Sequence, residues 1–194
     1  MSVIEIPDVI PKLYQDQIEA ETAGLGWYFH PESARPGLTF AHRYSGFFHM
    51  AFDAAASPSP VTSTINAVLV PLLFIFCDRA KLPFTNLIRV RLGMFPQNPL
   101  EVPHHNPHVD FYEPHMVALY YVNDSDGDTV LFKETAEDVS LQQSARHANE
   151  GRFRELARIP PKKGKMVAFD GRHYHASMHP RTHASRIVIT FNFR

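Results

Sequence analysis

Eight residues, Arg186-Ile187-Val188-Ile189-Thr190-Phe191-Asn192-Phe193, set the strongest constraint on this chain. Successive side chains of a strand point to opposite faces. Ile187, Ile189, Phe191 and Phe193 therefore share one wholly apolar face, while Arg186, Val188, Thr190 and Asn192 share the other. The apolar face demands a packed layer behind it. The other presents an arginine, a threonine and an asparagine either to solvent or to a polar interior. A histidine-rich stretch upstream favours the polar interior.

Other segments share the strand signature. Leu87 to Leu92 alternates apolar and basic residues, and Met116 to Val122 and Lys165 to Asp170 are short apolar runs. The turn-rich Asn123-Asp124-Ser125-Asp126-Gly127-Asp128 between Val122 and the run Thr129 to Phe132 predicts a hairpin. Earlier in the chain, Ile10, Leu13, Tyr14 and Ile18 recur at helical spacing, with Gly24 as a stop. After Ser57-Pro58-Ser59-Pro60 a second helix is expected over roughly Val61 to Lys81, kinked or divided at Pro71. Its apolar run, Ala67 to Cys77, is too short to span a bilayer and reads as a buried helical segment. Trp27 to Phe52 reads as loops and short strands, and Glu134 to Pro161 as a polar excursion with a short helix. These elements predict an α+β domain whose core is a two-sheet antiparallel sandwich or barrel with helices outside. No repeat or linker divides the chain. Residues 1–194 are expected to form one domain, with helix-rich support over roughly 1–84 and the sheet core over roughly 85–194.

Composition narrows the class. With 44% hydrophobic residues among 194, a sizeable core is affordable. Nineteen Lys and Arg against 20 Asp and Glu leave a net charge of -1, which gives no global pull toward nucleic acid. Cys77 is the single cysteine, so neither an internal disulfide nor a multi-cysteine zinc site can form. The opening residues lack the pattern of a secretory signal. A reducing, cytoplasmic setting without a membrane partner is expected.

Histidine is over-supplied: 12 in all, nine of them between His104 and His183. His108-Val109-Asp110 places an imidazole and a carboxylate two residues apart, so an extended backbone aims both the same way. Downstream, Phe169-Asp170-Gly171-Arg172-His173-Tyr174-His175 brings further histidines to the end of a strand. Two histidines and one carboxylate are the donor set of a non-heme Fe(II) site with open positions, although zinc accepts the same ligands. His175 is the preferred second histidine, His173 its main rival, and His179 and His183 lie in a Pro-containing loop facing solvent or substrate. Arg186, on the polar face of the final strand, is suited to hold a carboxylate.

Together these stretches, NPHVDFYEPHMVALYYVNDSDGDTVLF, KGKMVAFDGRHYHAS and RIVITFNF, resemble the 2-oxoglutarate/Fe(II)-dependent dioxygenases of the prolyl-4-hydroxylase-like group, small bacterial and phage members included. The resemblance implies a double-stranded β-helix, or jelly roll, with flanking N-terminal helices. It implies His108, Asp110 and His175 as iron ligands and as the catalytic centre. It implies Arg186 as the partner of the far carboxylate of 2-oxoglutarate, Tyr121 as a hydrogen-bond donor to that carboxylate, and Thr190 as a polar pocket residue. Fe(II), 2-oxoglutarate and O2 would be the cofactor and cosubstrates. Hydroxylation of an unactivated C–H bond would yield succinate and CO2 as coproducts. The substrate would be a prolyl or peptidyl group or a small amino-acid-like molecule.

Where the group often has Gly-Gly before the returning strand, this chain has Gly127-Asp128. The base-repair branch carries a second arginine six residues after the anchor; here Asn192 stands at that position, which argues against nucleic acid. The competing reading is a non-catalytic, cupin-like metal-binding β-barrel. Arg91, Gln97, His104, His105, Tyr112 and Arg172 are the weaker candidates for substrate contact. If the ligands are assigned correctly, metal affinity should fall below pH ~6 as the imidazoles protonate.

Overall fold

A computed structural model describes residues 3–31, 44–98 and 104–194. Its framework is two antiparallel sheets. Strands β1 (Ile4–Ile6), β2 (Tyr28–His30), β3 (Gly46–Asp53), β4 (Leu87–Pro96), β5 (Met116–Tyr121), β8 (Met166–Asp170) and β10 (Ser185–Phe193) form a seven-stranded sheet in the order β1-β8-β5-β10-β4-β3-β2. Strands β6 (Thr129–Thr135), β7 (Glu155–Ile159) and β9 (His173–Ser177) form a smaller sheet in the order β7-β6-β9. Leu131 and Ile159 of the small sheet pack with Val117, Leu119, Tyr121, Val167 and Val188 of the large one, so the two layers share a core. This is the jelly-roll arrangement, flanked by few helices.

The helices cover the outer face of the large sheet. Helix α1 (Lys12–Ala23) begins after Pro11, whose fixed φ suits a helix start, and ends at Gly24. Its buried line runs through Gln15, Ile18 and Thr22; Leu13, expected on the apolar face, is exposed. Helix α2 (Asn66–Ala80) starts later than expected and passes through Pro71 without dividing. Pro71 sits on the exposed side, so its ring meets solvent rather than the core. The buried stripe Leu69, Leu72, Leu73, Phe76 and Cys77 follows helical spacing and packs against Ile189, Phe191 and Phe193 of β10. Phe74 and Ile75, on the opposite side of the apolar run, are exposed, so the segment is amphipathic rather than wholly buried.

Two expectations about the second half are corrected. The run Thr129 to Phe132 does not return against Met116 to Tyr121: β5 pairs with β8 and β10, while β6 pairs with β7 and β9. The turn-rich residues 123–128 carry the chain across to the other sheet. Asp126 within them accepts hydrogen bonds from the backbone N–H groups of Arg181, Thr182 and His183, tying that crossing to the segment before β10. The excursion from Glu134 to Pro161 does contain a short helix, α3 (Leu141–Asn149), closed at its start by a Ser140–Gln143 capping box. It also contains β7, a member of the small sheet rather than a departure from it. The N-terminal half contributes β1, β2 and β3 to the large sheet alongside its two helices.

Candidate metal centre and anion pocket

The inner face of the large sheet is laid out in rows by strand register. Across β10 and β4, Arg186 stands beside Phe95, Val188 beside Gly93, Thr190 beside Arg91 and Asn192 beside Arg89. Gly93 leaves the floor of the second row bare. A Cβ there would stand 3.3 Å from the Phe95 ring and 3.4 Å from the Phe48 ring, tighter than ordinary contact. Above this floor lies a cavity, open in part to solvent. His108, Asp110, His175, Arg186 and Thr190 all line it.

A backbone rung sets the two imidazoles side by side. His108 N–H donates to His175 O at 3.0 Å and His175 N–H donates to His108 O at 2.9 Å, an isolated antiparallel bridge between a loop and β9. The rings lie 4.6 Å apart, centre to centre. Each Nδ1 faces the carbonyl of the residue two before it, Asn106 for His108 and His173 for His175, both at 3.2 Å. That contact places the proton on Nδ1 and leaves Nε2 as the free lone pair. Asp110 completes the group: one ligand atom from each of the three residues lies within 4.8 Å of the others.

Asp110 is held from behind. Arg89 donates to Oδ1 at 2.6 Å and Asn192 Nδ2 donates to Oδ2 at 2.9 Å, while Arg89 Nε reaches Asn192 Oδ1 at 3.1 Å. Burial works to raise the Asp110 carboxyl, but Arg89, His175, Arg91 and His108 overcome it and hold the group well below the usual carboxylate range. Burial likewise lowers both imidazoles, and His108 is brought to about 3 by burial and then by its His175 neighbour. Burial thus favours the neutral imidazoles, the form that binds a metal.

The other end of the cavity is cationic. Arg186 is 1% exposed, yet among the described residues no carboxylate lies within ion-pair distance. Its Nη2 donates to Thr129 Oγ1 at 2.7 Å and its Nη1 to Ser177 Oγ at 3.2 Å, and its buried Nε has no partner. Thr129 Oγ1 also accepts from the Tyr121 hydroxyl at 2.9 Å, so the Thr129 proton is left to donate elsewhere. The guanidinium lies 5.5 Å from the Phe95 ring and 5.7 Å from the Tyr121 ring. A buried cation ringed by donors, with an orphaned N–H, is a site for an anion. The two ends together fit a divalent metal and a carboxylate-bearing cosubstrate.

The structure brings five of the six expected site residues to the cavity wall. Tyr121 stands one step behind, contacting the pocket through Thr129. His173 is directed away, with Nδ1 at 3.0 Å from Phe132 O. His183 contacts Asp126 at 2.9 Å. His179, expected near solvent or substrate, is instead buried, its ring 4.5 Å from that of His105 and its Nδ1 2.8 Å from Pro96 O. Of the weaker candidates, Arg91 and His105 line the cavity. Gln97 is spent on Arg181 O, and Arg172 pairs with Asp170 and Glu137. Sequence reading missed Thr129, Ser177 and Arg89. Only Arg89 carried a signal, its shared strand parity with Arg91.

Residues 100–194 match the family model described as the 2OG-Fe(II) oxygenase superfamily. No curated protein matches the chain in sequence. Among solved structures, the non-heme alpha ketoglutarate dependent epimerase SnoN from nogalamycin biosynthesis aligns over 98% of this chain and 77% of its own at 12% identity, with a TM-score of 0.67. A Pseudomonas putida prolyl-4-hydroxylase aligns over 99% of this chain and 91% of its own at 15% identity, with a TM-score of 0.56. A Trichoplax adhaerens prolyl hydroxylase, solved with a hypoxia inducible factor peptide fragment, aligns over 98% and 82% at 14% identity, with a TM-score of 0.57. No helix among the described residues is long and apolar enough to cross a membrane. Residues 100–194 thus carry a 2OG-Fe(II) oxygenase superfamily domain, and the chain is an enzyme of that 2-oxoglutarate- and Fe(II)-dependent dioxygenase class.

Proposed function

We propose that the chain hydroxylates an unactivated C–H bond of a prolyl, peptidyl or small amino-acid-like substrate, with succinate and CO2 as coproducts. His108, Asp110 and His175 would hold Fe(II) through two Nε2 atoms and one carboxylate oxygen. Arg186 would anchor the far carboxylate of 2-oxoglutarate, with Thr190 beside it and Tyr121 acting through Thr129. All of residues 1–194 would serve as one dioxygenase domain, in which the segment before residue 85 braces the sheet that carries the site. When bound, Fe(II) supplies the activation of dioxygen and the oxidative decarboxylation of the cosubstrate.

The protein's own part is positional. The His108–His175 rung fixes the spacing of two donors. Arg89 and Asn192 fix the third, holding the Asp110 carboxylate charged and in one orientation. The apolar walls at Leu119 and Val188 limit water around the reacting centre. The prolyl and peptide alternatives rest on likeness to the two prolyl hydroxylases, and the small-molecule alternative on likeness to SnoN.

One observation carries the proposal: a His-Asp-His cluster and a buried arginine without a counter-ion face the same cavity. A cupin-like metal barrel would have no use for the second. The test is anaerobic loading with Fe(II) and 2-oxoglutarate, admission of air, and measurement of succinate against a panel of peptides, amino acids and nucleic acids. Substrate-dependent succinate with a mass gain of one oxygen in the substrate is expected. Metal binding without 2-oxoglutarate binding would sink the proposal in favour of the inert barrel.

A further inference from the structure

The basic face of β4 is only half used by the arrangement above. Arg89 and Arg91 are two residues apart and project toward the same side. Arg89 is satisfied by Asp110 and Asn192. Arg91 donates no hydrogen bond among the described residues, and its only carboxylate neighbour there is Asp110, at 3.9 Å. That oxygen already accepts from Arg89 at 2.6 Å. The Arg91 guanidinium instead lies over the Phe48 ring, 4.7 Å from its centre, and both residues line the cavity.

Position separates Arg91 from the cosubstrate anchor. Arg186 occupies the closed end, at 1% exposure. Arg91 stands in the row of Thr190, four residues along β10 and so about 13 Å away along the strand. Its side chain is 29% exposed, and the neighbouring Phe48 and His108 are also half-buried. This is the side of the cavity that solvent reaches. A ring-supported cation beside the metal-ligand candidates, without a hydrogen-bond acceptor of its own, is a recognition group awaiting one.

We propose that Arg91 binds a carboxylate of the primary substrate, so that the enzyme acts on a free amino acid or another small carboxylic acid rather than on an internal residue of a polypeptide. This rests on the oxygenase reading and selects among its substrates. A carboxylate suits the site better than a phosphate. One guanidinium here lacks a hydrogen-bond acceptor, and the charge of Asp110 close behind it disfavours a dianion.

The test measures binding as well as turnover. Protein loaded with Mn(II) and 2-oxoglutarate without oxygen is titrated with L-proline, other L-amino acids and their N-acetyl derivatives, each paired with its neutral amide. At least one acid is expected to bind about 10- to 100-fold more tightly than its amide. Arg91→Met should collapse that preference toward unity, and Arg91→Lys should retain part of it; a thermal melt of each variant checks folding. Turnover of the same pairs with Fe(II) should follow the same order.

The inference is overturned if no acid binds in preference to its amide, or if the preference survives in Arg91→Met. It is also overturned if Arg91→Met weakens 2-oxoglutarate as severely as Arg186→Met does, since Arg91 would then belong to the cosubstrate. Failure of the parent protein to bind 2-oxoglutarate beside Mn(II) would instead overturn the oxygenase reading itself, and this inference with it.

Discussion

Arg89 and Arg186 stand on adjacent strands, one behind the Asp110 carboxylate and the other on the cavity wall, and the fold treats them in opposite ways. Arg89 faces a carboxylate at 2.6 Å and an amide oxygen at 3.1 Å. Arg186, more deeply buried, faces two hydroxyls and two aromatic rings, and its Nε has no acceptor. Burying a charge without a counter-ion is costly. At Arg89 the protein supplies the counter-ion itself, and the result is a rigid mount for Asp110. At Arg186 it does not, and the missing negative charge must come from a ligand. The same residue type thus serves architecture at one end and recognition at the other.

The largest effect should come from deleting the shared acid. Asp110→Ala removes a ligand candidate and leaves Arg89 as a second uncompensated cation. Mn(II) affinity, followed by calorimetry, should fall by about a thousandfold or more. Retention of parental affinity would remove Asp110 from the metal site. Next comes Arg186→Met, which should raise the dissociation constant for 2-oxoglutarate by about 100-fold. Because it deletes an unpaired buried charge, it should leave the melting temperature of the ligand-free protein unchanged or higher. Cosubstrate should then stabilise the parent against heat but not this variant.

Arg89→Met sharpens the contrast. It strands the Asp110 carboxylate, and unfolding free energy should drop by about 3 kcal/mol. Added Mn(II) should recover part of that loss by supplying positive charge to the same oxygens. If Arg89→Met and Arg186→Met destabilise the free protein equally, the distinction between mount and anchor is lost.

Acid provides a milder probe. The buried His105, His108, His175 and His179 all have lowered pKa values in the folded state, with burial the leading cause. An unfolded chain takes up protons as pH falls through ~6.5, whereas the folded one resists, at His108 down to about 3. The unfolded state therefore binds more protons in that window, and stability must fall with acidification and rise with pH. The melting temperature of metal-free protein should decline by several degrees between pH 7 and 4.5. A flat profile would mean that these rings are solvated when folded. The smallest effect is expected from Tyr121→Phe, whose hydroxyl stands behind Thr129 and off the cavity wall; 2-oxoglutarate should weaken by about three- to tenfold.

The parts of this design that follow a local rule were legible before any coordinates. Alternation from Arg186 to Phe193 separated a cavity face from a helix-packing face, and the structure places Ile189, Phe191 and Phe193 against α2 and Arg186, Val188 and Thr190 on the cavity. The convergence of His108 and Asp110 on one side followed from their spacing, and the preference for His175 from its place just after the strand Lys165 to Asp170 and its distance from Arg186. What failed was decided over distance. Residues 123–128 have every chemical mark of a reversal, but turn chemistry says nothing about which sheet receives the returning strand. Strand β7, Glu-Leu-Ala-Arg-Ile, sits at the edge of the small sheet with Glu155, Leu156 and Arg158 exposed, so its pattern resembles a surface loop. Arg89 meets Asp110 across 21 residues and Asn192 meets it across 82, contacts that only the assembled sheet creates. Thr129 and Ser177 were invisible for the same reason.

The rung between His108 and His175 has a consequence for how such a chain can change. Two main-chain hydrogen bonds, indifferent to side-chain identity, hold the imidazoles in register. The stretch between them holds the core strands β5, β6 and β8, but also the excursion through α3, whose length does not enter that closure. Insertions, deletions or whole replacement loops can accumulate there while the donor spacing stays put. Evolution can thus remodel the walls around the reaction without retuning its centre.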